Sequence, residues 1–135
     1  MVPAFSERPA PGAARVLCDV DDASAGTAGQ TAGVRWKLAE PGRQLDANVV
    51  GLPPGAVVDT HTEPELDVLI LVVAGEGELS SGDTTEPLAP GALCWLPRAS
   101  SRRLAAGPQG LSYVTVHARR PGMRIGRGPA GRREA

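Results

Sequence analysis

The chain has 135 residues, 14 Lys and Arg against 15 Asp and Glu, and a formal charge of −1; this fits one domain and leaves no room for a large cofactor-binding domain beside it. The balanced charge gives no sign of nucleic acid or an acidic membrane as partner, and no apolar stretch approaches the ~20 residues of a membrane span. Cys18 and Cys94 are too few and too far apart for a disulfide framework or a zinc ribbon, and without a basic-then-apolar leader a soluble cytoplasmic protein is expected.

Residues 1–14 contain Pro3, Pro9 and Pro11 without periodicity and read as a flexible arm. Arg15 to Val20 reads as a first strand, and the Asp, Ser, Gly and Thr of 21–31 as a loop. Val34, Trp36 and Leu38 alternate with Arg35 and Lys37, which predicts a strand with one buried face. Leu45 to Gly51 is the next strand, stopped by Pro53-Pro54-Gly55. Ala56 to Glu63 follows, turned by Pro64-Glu65. Asp67 to Ala74 is a continuous apolar run, as expected of a strand covered on both faces.

Gly75 and Gly77 permit a sharp bend, and Ser81-Gly82-Asp83 suits a hairpin. Pro90-Gly91, Arg98 to Ser101 and Gly107 to Gly110 then separate three more strands, the last being Leu111 to Ala118. Cys94, Trp36 and Trp95 read as core residues, either tryptophan being also able to line a pocket. The arginines from Arg119-Arg120 to Arg132-Arg133 alternate with Gly and Pro, so 121–135 reads as a solvated tail behind a domain at 15–120. Short strands cut by Gly and Pro at roughly 8–12 residue spacing predict an all-β barrel or sandwich.

The order of these turns and polar residues resembles the cupin family of small double-stranded β-helix (jelly-roll) barrels. Its first motif, G-x5-H-x-H-x3,4-E-x6-G, is matched by Gly55, His61, Glu63, Asp67 and Gly75, with one additional residue before Gly75 that suggests a β-bulge. Its second, G-x5-P-x-G-x2-H-x3-N, has its counterpart in Pro90-Gly91 through Pro97, with Arg102 in the place of the histidine. Family members hold a first-row divalent ion with three histidines and a glutamate. Only His61 is unaltered here.

The resemblance implies that His61, Glu63, Asp67 and Arg102 converge inside the barrel, where two chemistries compete. A guanidinium has no lone pair for a metal and repels one. Yet Glu63 and Asp67 need a cation nearby, so an Arg102–carboxylate network can stand where the ion would be. In that reading no cofactor is needed, and the pocket, with Asp67, Arg102, Tyr113, His117 and Trp95 around it, takes a small polar metabolite. His61 and Glu63 would then be the catalytic proton shuttle of a non-oxidative isomerase, cyclase or lyase.

A non-catalytic binding module is the second possibility. The third is a metal-dependent, dioxygenase-like cupin in which His61, Glu63, Asp67 and His117 hold Zn, Fe or Mn. His61 can equally be an ordinary rim histidine, the carboxylates plain structural partners of nearby arginines, and an immunoglobulin-like sandwich would leave Glu63 at the surface. The family habit of pairing suggests a homodimer through the strand holding Val34, Trp36 and Leu38.

Overall fold

The computed structural model describes residues 12–25 and 31–120. Most of the expected arm and all of the expected tail lie outside the described residues. One short helix, α1 (Val20–Ser24), precedes seven strands: β1 (Gly33–Lys37), β2 (Leu45–Leu52), β3 (Val57–Thr62), β4 (Val68–Ser81), β5 (Thr84–Leu88), β6 (Leu93–Leu96) and β7 (Ser101–Ala118). The expected first strand at Arg15 to Val20 is absent, and the loop expected after it begins as a helical turn. The cause is local: the Asp19 carboxylate accepts the Asp22 N–H at 3.2 Å, and Asp21 and Asp22 favour the positive end of the turn.

All strand pairs are antiparallel, and β7 organises them by pairing with β2, β3 and β4. It is 18 residues long and does not stop at Gly107–Gly110 as the turn signal predicted. Ala106 pairs with Gly77 and Leu111 with Gly75, so residues 107–110 bulge opposite Glu76 alone. The Glu76 carboxylate holds the bulge by accepting the Gln109 N–H at 3.2 Å. The bulge bends β7, so its first half pairs with β3 and its second half with β2. On β4 a register shift between Val72 and Ala74 lies within the interval where the motif carried one residue too many. Ser81 pairs with Thr84 across Gly82-Asp83, the expected hairpin.

Side-chain parity divides the sheet into two faces. Ile70, Val72, Leu96, Leu104 and Tyr113 face inward and, with Leu52 and Leu111, build the core; each large apolar side chain buried this way contributes about 1.5–3 kcal/mol. Outward, Leu69 pairs with Trp95 and Leu71 with Leu93. Trp95 is 60% exposed and Leu93 67%, so Trp95 is neither core nor pocket residue, and β4 is covered on one face only. Trp36 and Cys94 are half-buried.

Candidate functional site

The inward face of the barrel leaves a cavity of about 230 Å³. At ~30 Å³ per water this is the space of about eight waters, right for a small metabolite. Val58, Val68, Ile70, Leu96 and Leu104 supply its apolar lining. Its polar groups are His61, Glu63, Arg102, Tyr113, Thr115, His117 and Arg120.

Strand register assembles these groups. His61 on β3 pairs directly with Arg102 on β7, so both side chains project to the same face. Val68 on β4 pairs with His117, Ile70 with Thr115 and Val72 with Tyr113, which brings the distal half of β7 over the same space. Thr115 is fixed by Asn48 Nδ2, which donates to its hydroxyl at 3.3 Å. Burial pushes the Tyr113 hydroxyl up to about 12, so it stays protonated at neutral pH.

Arg102 is the unusual member of the set. It is only 3% exposed. Its Nε and Nη1 are buried without a hydrogen-bond partner among the described residues, and Nη2 reaches only the Leu96 carbonyl, at 3.4 Å. Burial pushes its pKa down, and the charge of Glu63 partly opposes this. The expected ion pair between Arg102 and a carboxylate does not form. Glu63 instead accepts from Arg120 Nη2 at 2.5 Å through Oε1, while its Oε2 takes the Glu65 and Leu66 N–H groups at 2.7 and 3.2 Å.

Burial by itself would raise the pKa of Glu63, but the Arg120 hydrogen bond, the two backbone donors and the Arg120 charge outweigh it and hold the carboxyl below its ordinary 4.5. An acid whose folded pKa is depressed stabilises the fold fully above its unfolded pKa and loses that contribution as pH falls through the folded value. Unfolding of the wild type is therefore expected to ease as pH drops below about 4.5, with a shallower slope in Glu63→Gln. Denaturant titrations from pH 7 to 3 check this. At pH 7 the substitution is expected to cost about 1 kcal/mol, because the Arg120 side of the pair is half exposed and screened.

Asp67 stands outside the cavity. Its neighbour Val68 faces inward, so parity turns Asp67 away, and Arg98 captures it. The Arg98 N–H donates to Oδ1 at 2.8 Å and Arg98 Nη2 to Oδ2 at 3.3 Å. The backbone hydrogen bond, aided by the guanidinium charge, keeps Asp67 below its ordinary value. The candidate ligand set of His61, Glu63, Asp67 and His117 is thus not assembled. No group of three or more His, Cys, Asp or Glu among the described residues is placed to hold a metal. With Glu63 bound to one guanidinium and a second in the same cavity, these residues do not fit a divalent cation.

The two histidines are oriented alike. His61 Nδ1 lies 3.1 Å from the Asp59 carbonyl and His117 Nδ1 lies 2.7 Å from the Ala118 carbonyl. A carbonyl can only accept, so Nδ1 is the donor in each contact and Nε2 is the ring nitrogen left for other partners. Both rings line the cavity. Arg120, read from sequence as the edge of a basic tail, is a site residue that the sequence reading misses. Only the register of β7 against β4 brings it beside Glu63, and no local signal carries that information.

No family model matches the chain, and no curated protein matches it. Solved structures do. The cupin domain of Cnp3 from Schizosaccharomyces pombe aligns with a TM-score of 0.57 at 19% identity, covering 62% of this chain and 58% of that one. A Klebsiella pneumoniae protein with a double-stranded β-helix domain aligns at 0.64 and 18%, covering 78% and 90%. A sugar phosphate isomerase of the cupin superfamily from Silicibacter pomeroyi aligns at 0.54 and 23%, covering 58% and 53%. The chain therefore spans little more than half the length of the first and third. At these identities the likeness shows the fold: a cupin barrel.

Proposed function

We propose that this chain, which has the cupin fold, binds a small polar metabolite inside its barrel without a resident divalent ion. The observation that carries the reading is the Arg102 guanidinium, buried in a cavity wall with most of its donors unpaired. Buried polar groups are normally satisfied, and because Arg102 lines the cavity, a small molecule there would satisfy this one once the side chain turns toward it. The proton-shuttle role read from sequence moves off Glu63, which its arginine and two amides keep ionised and occupied. His61 and His117, whose rings line the cavity with Nδ1 held by a backbone carbonyl, are better suited to take and return a proton through Nε2.

Such a site suits non-oxidative isomerisation or elimination, and enzymes occur among proteins of this fold. The engaged state of Glu63 also favours the second reading, a binding module without turnover. A thermal-shift screen against a metabolite library tests both. A ligand at 100 times its Kd is expected to add about 2.7 kcal/mol of stability. If the hit is turned over and His61→Gln removes turnover while leaving binding, the enzyme reading stands; binding without turnover leaves the module. Elemental analysis finding a stoichiometric divalent ion that His61→Ala loses would overturn the metal-free reading.

Pairing of two copies belongs to the same proposal, but on a different surface from the β1 face. Leu69, Leu71, Leu93 and Trp95 form an exposed patch without a charge, so a second copy would meet it without like-charge repulsion. Sedimentation returning only monomer at micromolar concentration rejects the pairing. No helix among the described residues is long and apolar enough to cross a membrane.

A further inference from the structure

Fixed charge in the cavity sorts into one closed pair and one remainder. Glu63 is committed to Arg120 and to two backbone amides. Arg102, 3% exposed, has no carboxylate of its own and leaves Nε and Nη1 without partners among the described residues. Counting Arg102, Arg120 and Glu63 gives one net positive charge, which one negative charge would balance. Val58, Val68, Ile70, Leu96 and Leu104 line the rest of the cavity and offer nothing polar from their side chains. The volume of about 230 Å³ accommodates a small molecule.

We infer that the ligand of this cavity is a small monocarboxylate with an apolar body, its carboxylate held by Arg102 and its body against the Val58–Ile70–Leu104 wall. The inference rests on reading the cavity as a binding site and narrows it to one ligand class. A planar guanidinium suits a carboxylate in geometry as well as charge, and charge-assisted hydrogen bonds are about twice as strong as neutral ones. A phosphate monoester fits less well. Its second charge would find no free cation, and its additional oxygens would meet the apolar wall.

Titration of the full chain, labelled with nitrogen-15, separates the outcomes. The probes are benzoate and 3-methylbutanoate, the amide of each, and inorganic phosphate. The carboxylates are expected to shift the amides of residues around the cavity and to bind at least about tenfold more tightly than their amides. Arg102→Met is expected to reduce that preference to within about twofold; should it fail to fold, the acid-against-amide comparison on the wild type decides alone. Equal binding of acids and amides, or phosphate binding more tightly than the acids, overturns the monocarboxylate inference while leaving a binding cavity. A carboxylate preference that survives Arg102→Met overturns Arg102 as the anchor. If none of these probes and no member of the metabolite library shifts a cavity residue, both the inference and the binding reading fail.

Discussion

Replacing Gly75 with alanine is expected to destabilise the fold by about 3–5 kcal/mol, among the largest effects a single methyl can have. Gly75 has φ +78, a conformation that costs a non-glycine residue roughly 1–2 kcal/mol by itself. Steric contact costs more. A Cβ there would lie 2.1 Å from the Gly110 carbonyl oxygen and 2.7 Å from its carbon, and neither atom belongs to a side chain that could swing aside. Relief would require β4 and β7 to separate where the 107–110 bulge crosses, and those two strands carry the inward face of the cavity. At about 4–8 °C per kcal/mol for a domain near this size, Tm should fall by more than about 12 °C. Gly82→Ala is the control. It has φ +58 but open space around a new Cβ, so about 1–2 kcal/mol is expected. Equal losses for the two substitutions in urea unfolding would show that backbone conformation alone, and not the strand crossing, fixes Gly75.

Much of this architecture was legible because its signals are local. The Pro and Gly stops and the Gly82-Asp83 hairpin each depend on neighbouring residues, and the strands lie where those residues put them. A strand also forms at Gly33–Lys37, but a register shift between Val34 and Trp36 breaks the expected alternation and leaves Val34 55% exposed. His61 and Arg102 were also legible as partners, since motif spacing carries strand register indirectly. What failed depended on distant pairing. Gly107–Gly110 reads as a strand end, yet the partner strand absorbs it as a bulge held by Glu76, 33 residues away in sequence. Asp67 reads as an interior ligand by motif position, but parity with Val68 turns it toward Arg98. Trp95 reads as core by hydrophobicity, while pairing with Leu69 sets it on the outer face. Arg120 reads as tail, and only the fold makes it the counter-ion of Glu63. Arg15 to Val20 had the composition of a strand but no partner, and a single Asp19 cap was enough to start a helical turn nearby.

The second large effect concerns Arg102 and has the opposite sign to Gly75. A side chain retained for the fold would destabilise on removal, by about 3–5 kcal/mol where it breaks a buried ion pair. Arg102 has no such pair to break: the Glu63 carboxylate is spent on Arg120, and the one hydrogen bond Arg102 makes among the described residues is a long one to Leu96. Burying the guanidinium therefore costs desolvation with little return from the protein itself. Methionine fills similar space with an unbranched, adaptable chain among Leu96, Leu104 and their neighbours. Removing the charge should also leave Glu63 ionised, because Arg120 and the amides of Glu65 and Leu66 remain.

A cationic group that weakens the protein holding it makes physical sense when something else completes it. Equilibrium urea unfolding of wild type and Arg102→Met at pH 7, without added ligand, measures this directly. A gain of about 1–3 kcal/mol in the variant is predicted, since an apolar replacement relieves an uncompensated buried charge. A loss of about 2 kcal/mol or more, the scale of a broken buried charge interaction, would contradict it: Arg102 would then be holding the barrel together, with no charge left over for a guest.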